Sequence, residues 1–385
     1  MEMRIVFLGD IVCTQTDLLQ NCNFDKWFEK IKTYWGNASL VVTNLETPIA
    51  EEVGPLTNAK YRFNSPKELV YAMKDAGINF IATANNHCLD RGIDGLYATI
   101  SHLDKVGLKY TGTFKRRTDK KFQVIECGTY KIGICAVTYG TNAQENRIYL
   151  SPWQKYCVNM QQSQEYTNPI ARFWGLGKSN FLRKKYFAFL KRCGSYNAYK
   201  PPHERKELDF FQKKQLSKIM EDMKQETDLQ IVLLHEGCQF KKNPSQRTID
   251  TIQWFQKRGI HTVITNHEHI VSRIRKEKDF FATYALGDLT GAIGHYEGIM
   301  GKRAEFSIAV NMYIDERKNI RYTFSILKRI EDKEKQIYPV MLYDLYLNER
   351  NEKKKSKLYW ENIRIYNTVT GLNLTRLDVK KEYDI

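Results

Sequence analysis

Short apolar runs alternate with amphipathic stretches along most of the chain. The apolar runs are rich in β-branched residues, as buried strands are, and lie at 3–8, 39–43, 78–83, 131–137, 229–234, 260–265 and 280–286. The amphipathic stretches, typical of surface helices, lie near 18–35, 66–76, 93–106, 207–225 and 246–258. This alternation predicts an α/β fold with a mainly central sheet. After about residue 304 the pattern changes to strands alone, which predicts antiparallel additions to the sheet.

Six of the apolar runs end in side chains that can bind a metal ion. The endings are Gly9-Asp10, Asn44-Leu45-Glu46, Asn85-Asn86-His87, His235-Glu236-Gly237, Asn266-His267-Glu268-His269 and Gly287-Asp288. Ligands of open α/β sheets bind outside the carboxyl ends of the strands. If the six strands are parallel and adjacent, the endings therefore converge on one site.

The donor types in this set indicate a metal site. Carboxylate, amide and imidazole donors without cysteine suit Zn²⁺, Mn²⁺ or Fe. A strand would send His267 and His269 to opposite faces, so we place them on a loop, where they can serve two metals or one metal and a bridging water. Two such ions can activate a water and clamp the reacting oxygens. The remaining histidines lack this context and are predicted to be structural: His102, His203, His261 and His295.

The composition indicates a globular, basic protein but does not identify its substrate. The 385 residues are 42% hydrophobic, enough for a sizeable core, and carry 60 basic against 44 acidic residues, a net charge of +16. This charge favours anionic partners: nucleic acid, acidic polymers or a membrane surface. No specific nucleic-acid motif is present. The eight cysteines form no C-x-x-C pair, which predicts reduced and mostly buried thiols.

The chain shows no pattern for crossing a membrane. No apolar run reaches the roughly 18 residues that a transmembrane helix needs. The start, "MEMRIVFLGD", is a poor signal peptide because its short apolar run ends in Gly-Asp. We therefore expect a cytoplasmic protein, with any membrane association supplied by a partner.

Two regions differ from the rest of the chain. Residues 141–205 interrupt the alternation, and within them 171–206 carry ten basic residues, one acid and eight aromatics. Such a segment can track a polyanion, or it can form amphipathic helices that cover the sheet with solvated lysines. The tail begins "LNERNEKKKSK", a charge run typical of a solvated segment. We predict one domain over 1–345, with 141–205 as an insertion, and a C-terminal extension over 346–385.

The motifs taken in order resemble a known family. They are "FLGD", "TNLETPIA", "ANNHCLDRGIDG", "LLHEG", "NHEH" and "YALGD". This series is similar to that of CapA-type capsule (poly-γ-glutamate) synthesis proteins, within the calcineurin-like metallophosphoesterase superfamily, over about residues 1–345. The resemblance implies a four-layer α-β-β-α sandwich of two facing mixed sheets. It also implies a metal-dependent hydrolase of capsule or cell-surface polymer metabolism.

The resemblance assigns roles to individual residues. It implies two ligand sets that share a bridging Glu46: Asp10 and His269 for one divalent metal, and Asn86, His235 and His267 for a second. His87 would donate a proton to the leaving group, and Asp90 would orient His87. Asn85 replaces a glycine of the wider superfamily and is interpreted as shaping the turn.

Departures from the family pattern concern the first metal and the substrate. The histidine of the superfamily's first Asp-x-His is Val12 here, which implies a weaker first site. The aromatic residue of the usual His-Trp-Gly is Glu236, so we expect charge in place of an aromatic wall. The proline of Gly-His-His-Pro-His is Glu268, and the asparagine of Ser-Leu-Gly-Asn is Asp288.

Three functions remain open at this point. The first is a metal-dependent hydrolase acting on an anionic polymer or phosphoester, with capsule-synthesis proteins as partners. The second is a non-catalytic assembly protein that binds a polyanion through its basic charge. The third is a nuclease-like phosphodiesterase, which the charge permits.

Overall fold

The computed structural model describes residues 2–13, 17–18, 23–59, 62–127, 130–162, 164, 185, 210–241, 243–291 and 304–385. The basic and aromatic segment predicted at 171–206 lies outside the described residues apart from position 185.

Sixteen strands are defined within these ranges. The first eight are β1 (Met3–Ile11), β2 (Leu40–Leu45), β3 (Thr57–Ala59), β4 (Arg62–Asn64), β5 (Phe80–Ala82), β6 (Lys109–Thr111), β7 (Gln123–Cys127) and β8 (Tyr130–Thr138). The others are β9 (Leu229–His235), β10 (Thr262–Asn266), β11 (Ile274–Glu277), β12 (Phe280–Thr283), β13 (Phe306–Ile314), β14 (Ile320–Glu331), β15 (Ile337–Met341) and β16 (Tyr383–Asp384).

The helices of the described residues are shorter on average than the predicted amphipathic stretches. They are α1 (Phe24–Glu29), α2 (Lys32–Trp35), α3 (Glu68–Asp75), α4 (Gly92–Val106), α5 (Ala143–Asn146), α6 (Phe210–Glu226), α7 (Gln246–Gln256), α8 (Leu342–Asn348) and α9 (Glu352–Thr370). A short 3₁₀ helix covers Lys155–Cys157.

Fourteen of these strands form two mixed sheets, and β3 and β4 pair as a separate antiparallel ribbon. The first has the order β15-β14-β13-β1-β2-β5-β6, with β16 on β14, and its β1, β2, β5 and β6 are parallel. The second has the order β11-β12-β10-β9-β8-β7, with β8, β9, β10 and β12 parallel. As predicted, β13 and β14 extend the first sheet antiparallel. The six strand ends that carry the candidate metal donors are thus divided between two sheets and do not lie along one.

Three apolar layers hold the sheets and helices together. One lies between the sheets, where Phe7 and Val42 of the first sheet share a cluster with Ile134 and Ile231 of the second. A second joins the outer face of the first sheet to α1, α2 and α3. A third joins the outer face of the second sheet to α6 and α7. The four-layer α-β-β-α sandwich that the family resemblance implied is confirmed.

The C-terminal residues cover one side of the layer between the sheets. Leu358, Ile365 and Val369 of α9 are buried in that layer, and β16 adds Tyr383 to it. The charged start of α9 is largely exposed, as the charge run predicted. The predicted boundary at residue 345 stays a prediction, although the residues beyond it share the core of the residues before it.

A close backbone contact brings β1 to the segment after β12. A Cβ atom on Gly9 would lie 1.8 Å from the carbonyl oxygen of Gly287, and the backbone N–H of Asp10 donates to that same oxygen at 3.2 Å. Gly287 itself has φ of +79°, a conformation that glycine adopts without strain. The two glycines therefore allow Asp10 and Asp288 to lie side by side.

We predict that Gly9→Ala destabilises the protein. The added methyl group meets main-chain atoms that cannot rotate away, so the free energy of unfolding should fall by about 1–3 kcal/mol or more. Gly36→Ala is the matched control, since the atom nearest to its added methyl group would lie at an ordinary 3.8 Å. Urea unfolding of both variants measures the difference, and equal stabilities would contradict the account.

Candidate metal centre

The strand ends of the two sheets meet across the layer between them. Asp10 lies near the end of β1 and Glu46 directly follows β2, both in the first sheet. His235 is the last residue of β9, in the second sheet. Asn44 connects the sheets, since its Nδ2 donates to Oδ1 of Asp10 at 2.7 Å and lies 3.3 Å from Nδ1 of His235. The eight residues predicted for the site are buried, and the structure brings them into one region.

One donor group surrounds Nε2 of His235. The side-chain oxygen of Asn86 is 2.7 Å from this nitrogen, and Nδ1 of His267 is 3.1 Å from it. The nearer oxygen of Glu46 is at 3.4 Å. Two imidazoles, an amide oxygen and a carboxylate thus face one point, the arrangement predicted for the second metal.

A second donor group shares Glu46 with the first. The ligand atoms of Asp10, Glu46 and His269 all lie within 4.8 Å of one another. Oε2 of Glu46 is 4.0 Å from Nδ1 of His269, while Oε1 faces His235. The carboxylate therefore presents one oxygen to each group, which is the geometry of a bridging ligand.

Glu46 carries the strongest indication that cations belong here. It is fully buried, and neither carboxylate oxygen has a hydrogen-bond partner within the described part of the chain. A buried carboxylate without such partners costs several kcal/mol unless a positive charge compensates it. The donor set of nitrogen and oxygen atoms fits Mn²⁺, Zn²⁺ or Fe, as the sequence predicted.

The protonation of His235 and His267 agrees with this interpretation. Burial lowers the pKa of His235 and lowers that of His267 well below its usual value, so both rings are neutral, as metal ligands must be. His269 differs: burial lowers its pKa, but Asp288 and Glu46 outweigh burial and raise it to about 10. The carboxylates around His269 therefore attract positive charge strongly.

The loop after β10 is strained where it carries its two histidines. His267 has φ of +120° and His269 has φ of +58°, values that cost roughly 1–3 kcal/mol in residues other than glycine. The backbone N–H of His267 donates to Oδ2 of Asp10 at 3.2 Å, which fixes the loop against β1. The prediction that the two histidines lie on a loop is confirmed, and this loop turns one ring to each donor group.

His87 stands beside the two donor groups and is fixed on three sides. Its Nδ1 lies 2.7 Å from Oδ2 of Asp90, and its ring stacks on Phe63 with centroids 3.8 Å apart. The backbone N–H of His87 donates to Oδ1 of Asn85 at 3.0 Å. Burial lowers the pKa of His87, but Asp90 outweighs this and raises it. Asn85 holds the turn together, as predicted.

Some residues of the site were not predicted. Phe63 lies on the short strand β4, which no sequence pattern indicated. Its backbone N–H also donates to Oδ2 of Asp90 at 2.8 Å. Asn44 was named in the sequence only as part of a strand ending, without a role of its own. Asn142 is a further neighbour of the site, since its side-chain oxygen accepts from Nδ2 of Asn86 at 3.5 Å. Only the tertiary contacts identify these residues.

The expectation that Glu236 places charge on the wall of the site was wrong. Its carboxylate pairs with Arg247 at 3.0 Å and accepts from Thr251 at 3.4 Å, so it faces α7. Aromatic rings reach the histidines from elsewhere: Tyr139 lies 4.8 Å from His267, and Phe240 lies 5.3 Å from His269, between ring centroids. The site keeps aromatic neighbours although the family's tryptophan is missing.

The comparison with known families decides the affiliation of the chain. Residues 4–292 match the family model described as bacterial capsule synthesis protein PGA_cap. The chain belongs to the PGA_cap family. All eight predicted site residues fall within the matched range.

Relatives of this PGA_cap chain are distant. It is 21% identical over 293 residues to the capsule biosynthesis protein CapA of Bacillus anthracis, covering 74% of this chain and 59% of that protein. It therefore spans about three fifths of the length of this curated relative. A candidate 5′-nucleotidase from Staphylococcus aureus shows a TM-score of 0.40 at 11% identity, over 94% of this chain and 59% of the other. The protein TT1561 of Thermus thermophilus shows a TM-score of 0.33 at 9% identity, over 84% of this chain and 98% of the other.

Three further findings concern the described residues of the PGA_cap chain. In the ranges that the structure describes, no helix is long and apolar enough to cross a membrane. Among the described cysteines, Cys13, Cys88, Cys135 and Cys157 are buried and outside any disulfide, and Cys238 is partly exposed and outside any disulfide. These five agree with the predicted reduced state. Of the histidines predicted to be structural, His102 pairs with Glu52 at 3.2 Å.

We predict that Glu46→Gln abolishes metal binding at both positions. The amide has nearly the same shape but removes the charge that both donor groups share, so metal per chain should fall from about two ions to below one. Excess Mn²⁺ or Zn²⁺ at about 100 times its dissociation constant should stabilise the unmodified chain by about 2.7 kcal/mol for each bound ion, and the variant hardly at all. Elemental analysis and thermal unfolding after chelator treatment measure both effects. Glu52→Gln, at an exposed carboxylate, is the control, and a variant that keeps two ions would refute the bridging role.

Proposed function

We propose that this chain is a metal-dependent hydrolase of phosphoester-like bonds that acts in capsule or cell-surface polymer metabolism. The observation that carries the proposal is the buried carboxylate of Glu46, which faces two nitrogen- and oxygen-donor groups at once. Membership of the PGA_cap family supports the link to capsule synthesis, and CapA of Bacillus anthracis is a relative named for that process.

Two groups of residues would each bind one divalent ion, which can be Mn²⁺, Zn²⁺ or Fe²⁺. Asp10, Glu46 and His269 would hold the first ion. Asn86 and Glu46, with His235 and His267, would hold the second. Such a pair of ions supplies Lewis-acid activation of water and stabilises charge on the reacting oxygens.

His87 is the residue we assign to proton transfer. Its Nδ1 is engaged by Asp90, so Nε2 is the ring nitrogen left for a substrate. The raised pKa keeps a larger share of the ring protonated near neutral pH, as a general acid requires. The proton would pass from Nε2 to the leaving oxygen, and the Asp90 carboxylate would stabilise the charged ring before transfer.

Asp90 and Phe63 act as positioning residues for His87. The carboxylate of Asp90 is itself held, since it accepts from the backbone N–H of Phe63 at 2.8 Å and from Nδ2 of Asn146 at 3.4 Å. Phe63 covers one face of the imidazole. The ring is therefore fixed before a substrate arrives, which lowers the entropic cost of reaching the reactive geometry.

The second candidate function is a polyanion-binding assembly protein without catalytic activity, which the net charge of +16 favours. The test is metal analysis of protein purified without chelator, followed by activity assays on phosphodiester and γ-glutamyl substrates. Bound metal with hydrolysis supports the enzyme. Binding to polyglutamate that falls with salt, without metal or hydrolysis, supports the assembly protein instead.

We predict that His87→Gln lowers kcat on a phosphodiester substrate by about 10²–10⁴-fold and leaves the metal content unchanged. Glutamine fills a similar volume but cannot donate a proton as an acid. His102→Gln is the matched control, because His102 pairs with exposed Glu52 away from the site. Steady-state kinetics with elemental analysis measures both properties. A variant that keeps full kcat would exclude His87 as the acid.

A further inference from the structure

One side of α9 exposes basic and aromatic residues together. Lys353, Lys357, Trp360 and Arg364 follow one another at intervals of four, three and four residues, so they lie on the same side of the helix. All four residues are exposed, and Trp360 is 56% exposed. The opposite side of α9 is buried in the layer between the sheets. The exposed side of the helix therefore carries a large aromatic ring among cations.

The loop after α9 extends this side of the helix with two leucines. Asn367 lies one turn beyond Arg364 on the same side, and its side chain binds Leu374 twice. Its Nδ2 donates to the carbonyl of Leu374 at 2.9 Å, and its Oδ1 accepts from the N–H of Leu374 at 3.0 Å. Leu374 is 38% exposed and Leu372 is 48% exposed. Specific hydrogen bonds thus hold a loop that presents apolar side chains to water.

Exposed apolar residues are concentrated in this part of the described chain. Of the eight large hydrophobic residues that the described ranges expose, four lie between positions 347 and 374: Leu347, Trp360, Leu372 and Leu374. Single exposed apolar residues are ordinary, but a group of them is typical of a binding surface. We define the α9 surface by five residues: Lys353, Lys357, Trp360, Leu372 and Leu374.

The charge around Trp360 is positive. Residues 350–364 include six basic and two acidic residues. One of the acids, Glu361, is buried and pairs with Lys328 at 2.7 Å and with Lys357 at 3.6 Å. Glu352 is the other acid and is exposed. Because the basic residues outnumber the acids, the partner of this surface should be anionic.

An anionic lipid surface fits both the charge and the apolar residues. Lysines beside such a bilayer are attracted by its negative surface potential, while tryptophan and leucine enter the boundary between headgroups and acyl chains. An acidic polymer such as polyglutamate would attract the lysines but offers no apolar phase to the leucines. The composition of the α9 surface therefore favours lipid over a dissolved polyanion.

We propose that the α9 surface docks the protein on membranes that contain anionic lipids. The contact is peripheral, because the other side of α9 is part of the protein's own core. Trp360, Leu372 and Leu374 enter the lipid interface, and Lys353 and Lys357 lie against lipid phosphates. Docking of this kind does not depend on the metal centre.

Flotation of the full chain with lipid vesicles tests the proposal. The unmodified chain should bind vesicles of phosphatidylcholine and phosphatidylglycerol in equal parts, and added salt should weaken this binding. Lys353→Glu combined with Lys357→Glu should weaken the binding by more than about 10-fold, since two attractive charges become repulsive. Trp360→Ala should weaken it by about 10-fold, because the largest apolar contact is lost.

Each variant has a matched control elsewhere on the protein. Lys30→Glu combined with Lys32→Glu changes the net charge by the same amount at exposed positions beside α1 and α2. Trp153→Ala removes another exposed tryptophan, which is 78% exposed. Both controls should bind vesicles as the unmodified chain does. Circular dichroism verifies that each variant is folded.

The remaining outcomes would overturn the proposal. Failure of the unmodified chain to bind anionic vesicles excludes docking, and equal loss in the lysine variant and its control assigns the binding to net charge. If the lysine variant loses binding to polyglutamate and keeps binding to vesicles, the α9 surface serves an acidic polymer instead. Metal content and hydrolysis should be unchanged in every variant, so failure of docking leaves the proposed hydrolase standing.

Discussion

The burial of the Glu46 carboxylate at the junction of the two sheets is the constraint on which the site depends. No hydrogen bond from the described residues reaches either oxygen, yet two imidazole-bearing groups face it from opposite sides. A charge in this environment is stable only with cations beside it. His235, whose pKa burial lowers, faces this carboxylate, and the strained loop after β10 brings His267 to the same group.

The fold meets the requirement by bringing chain segments that are distant in sequence to one edge of the layer between the sheets. The contact of Gly9 with Gly287 sets Asp10 beside Asp288, and Asn44 joins β1 to β9. The apolar layer between the sheets keeps these residues at fixed distances from one another. A close-packed interior has little free volume, so the strands that carry them cannot shift independently. The strained backbone of His267 and His269 is held by that surrounding structure.

The two donor groups are chemically unequal, and this inequality bears on function. The group around His235 contains neutral imidazoles, whereas the group around His269 is rich in carboxylates. Metal ions bound by these two groups would therefore differ in hardness and in the rate at which they exchange with solution. His87 lies outside both groups and is held by Asp90 and Phe63. In the proposed function, metal binding and proton transfer therefore belong to separate residues on neighbouring elements.

The sequence by itself determined the central strands of both sheets and the candidate donor residues at their ends. Apolar runs located β1, β2, β5, β8, β9, β10 and β12 because buried strands have a local hydrophobic pattern, and the polar residues at their ends identified the donors. The sequence patterns did not indicate β3, β4, β6, β7, β11, β15 and β16, which are short or lie at sheet edges and carry little apolar signal. Tertiary structure alone decided that the strand ends belong to two sheets, that Phe63 stacks on His87, and that Glu236 turns toward Arg247. Those outcomes depend on contacts between residues far apart in the chain, which no local pattern encodes.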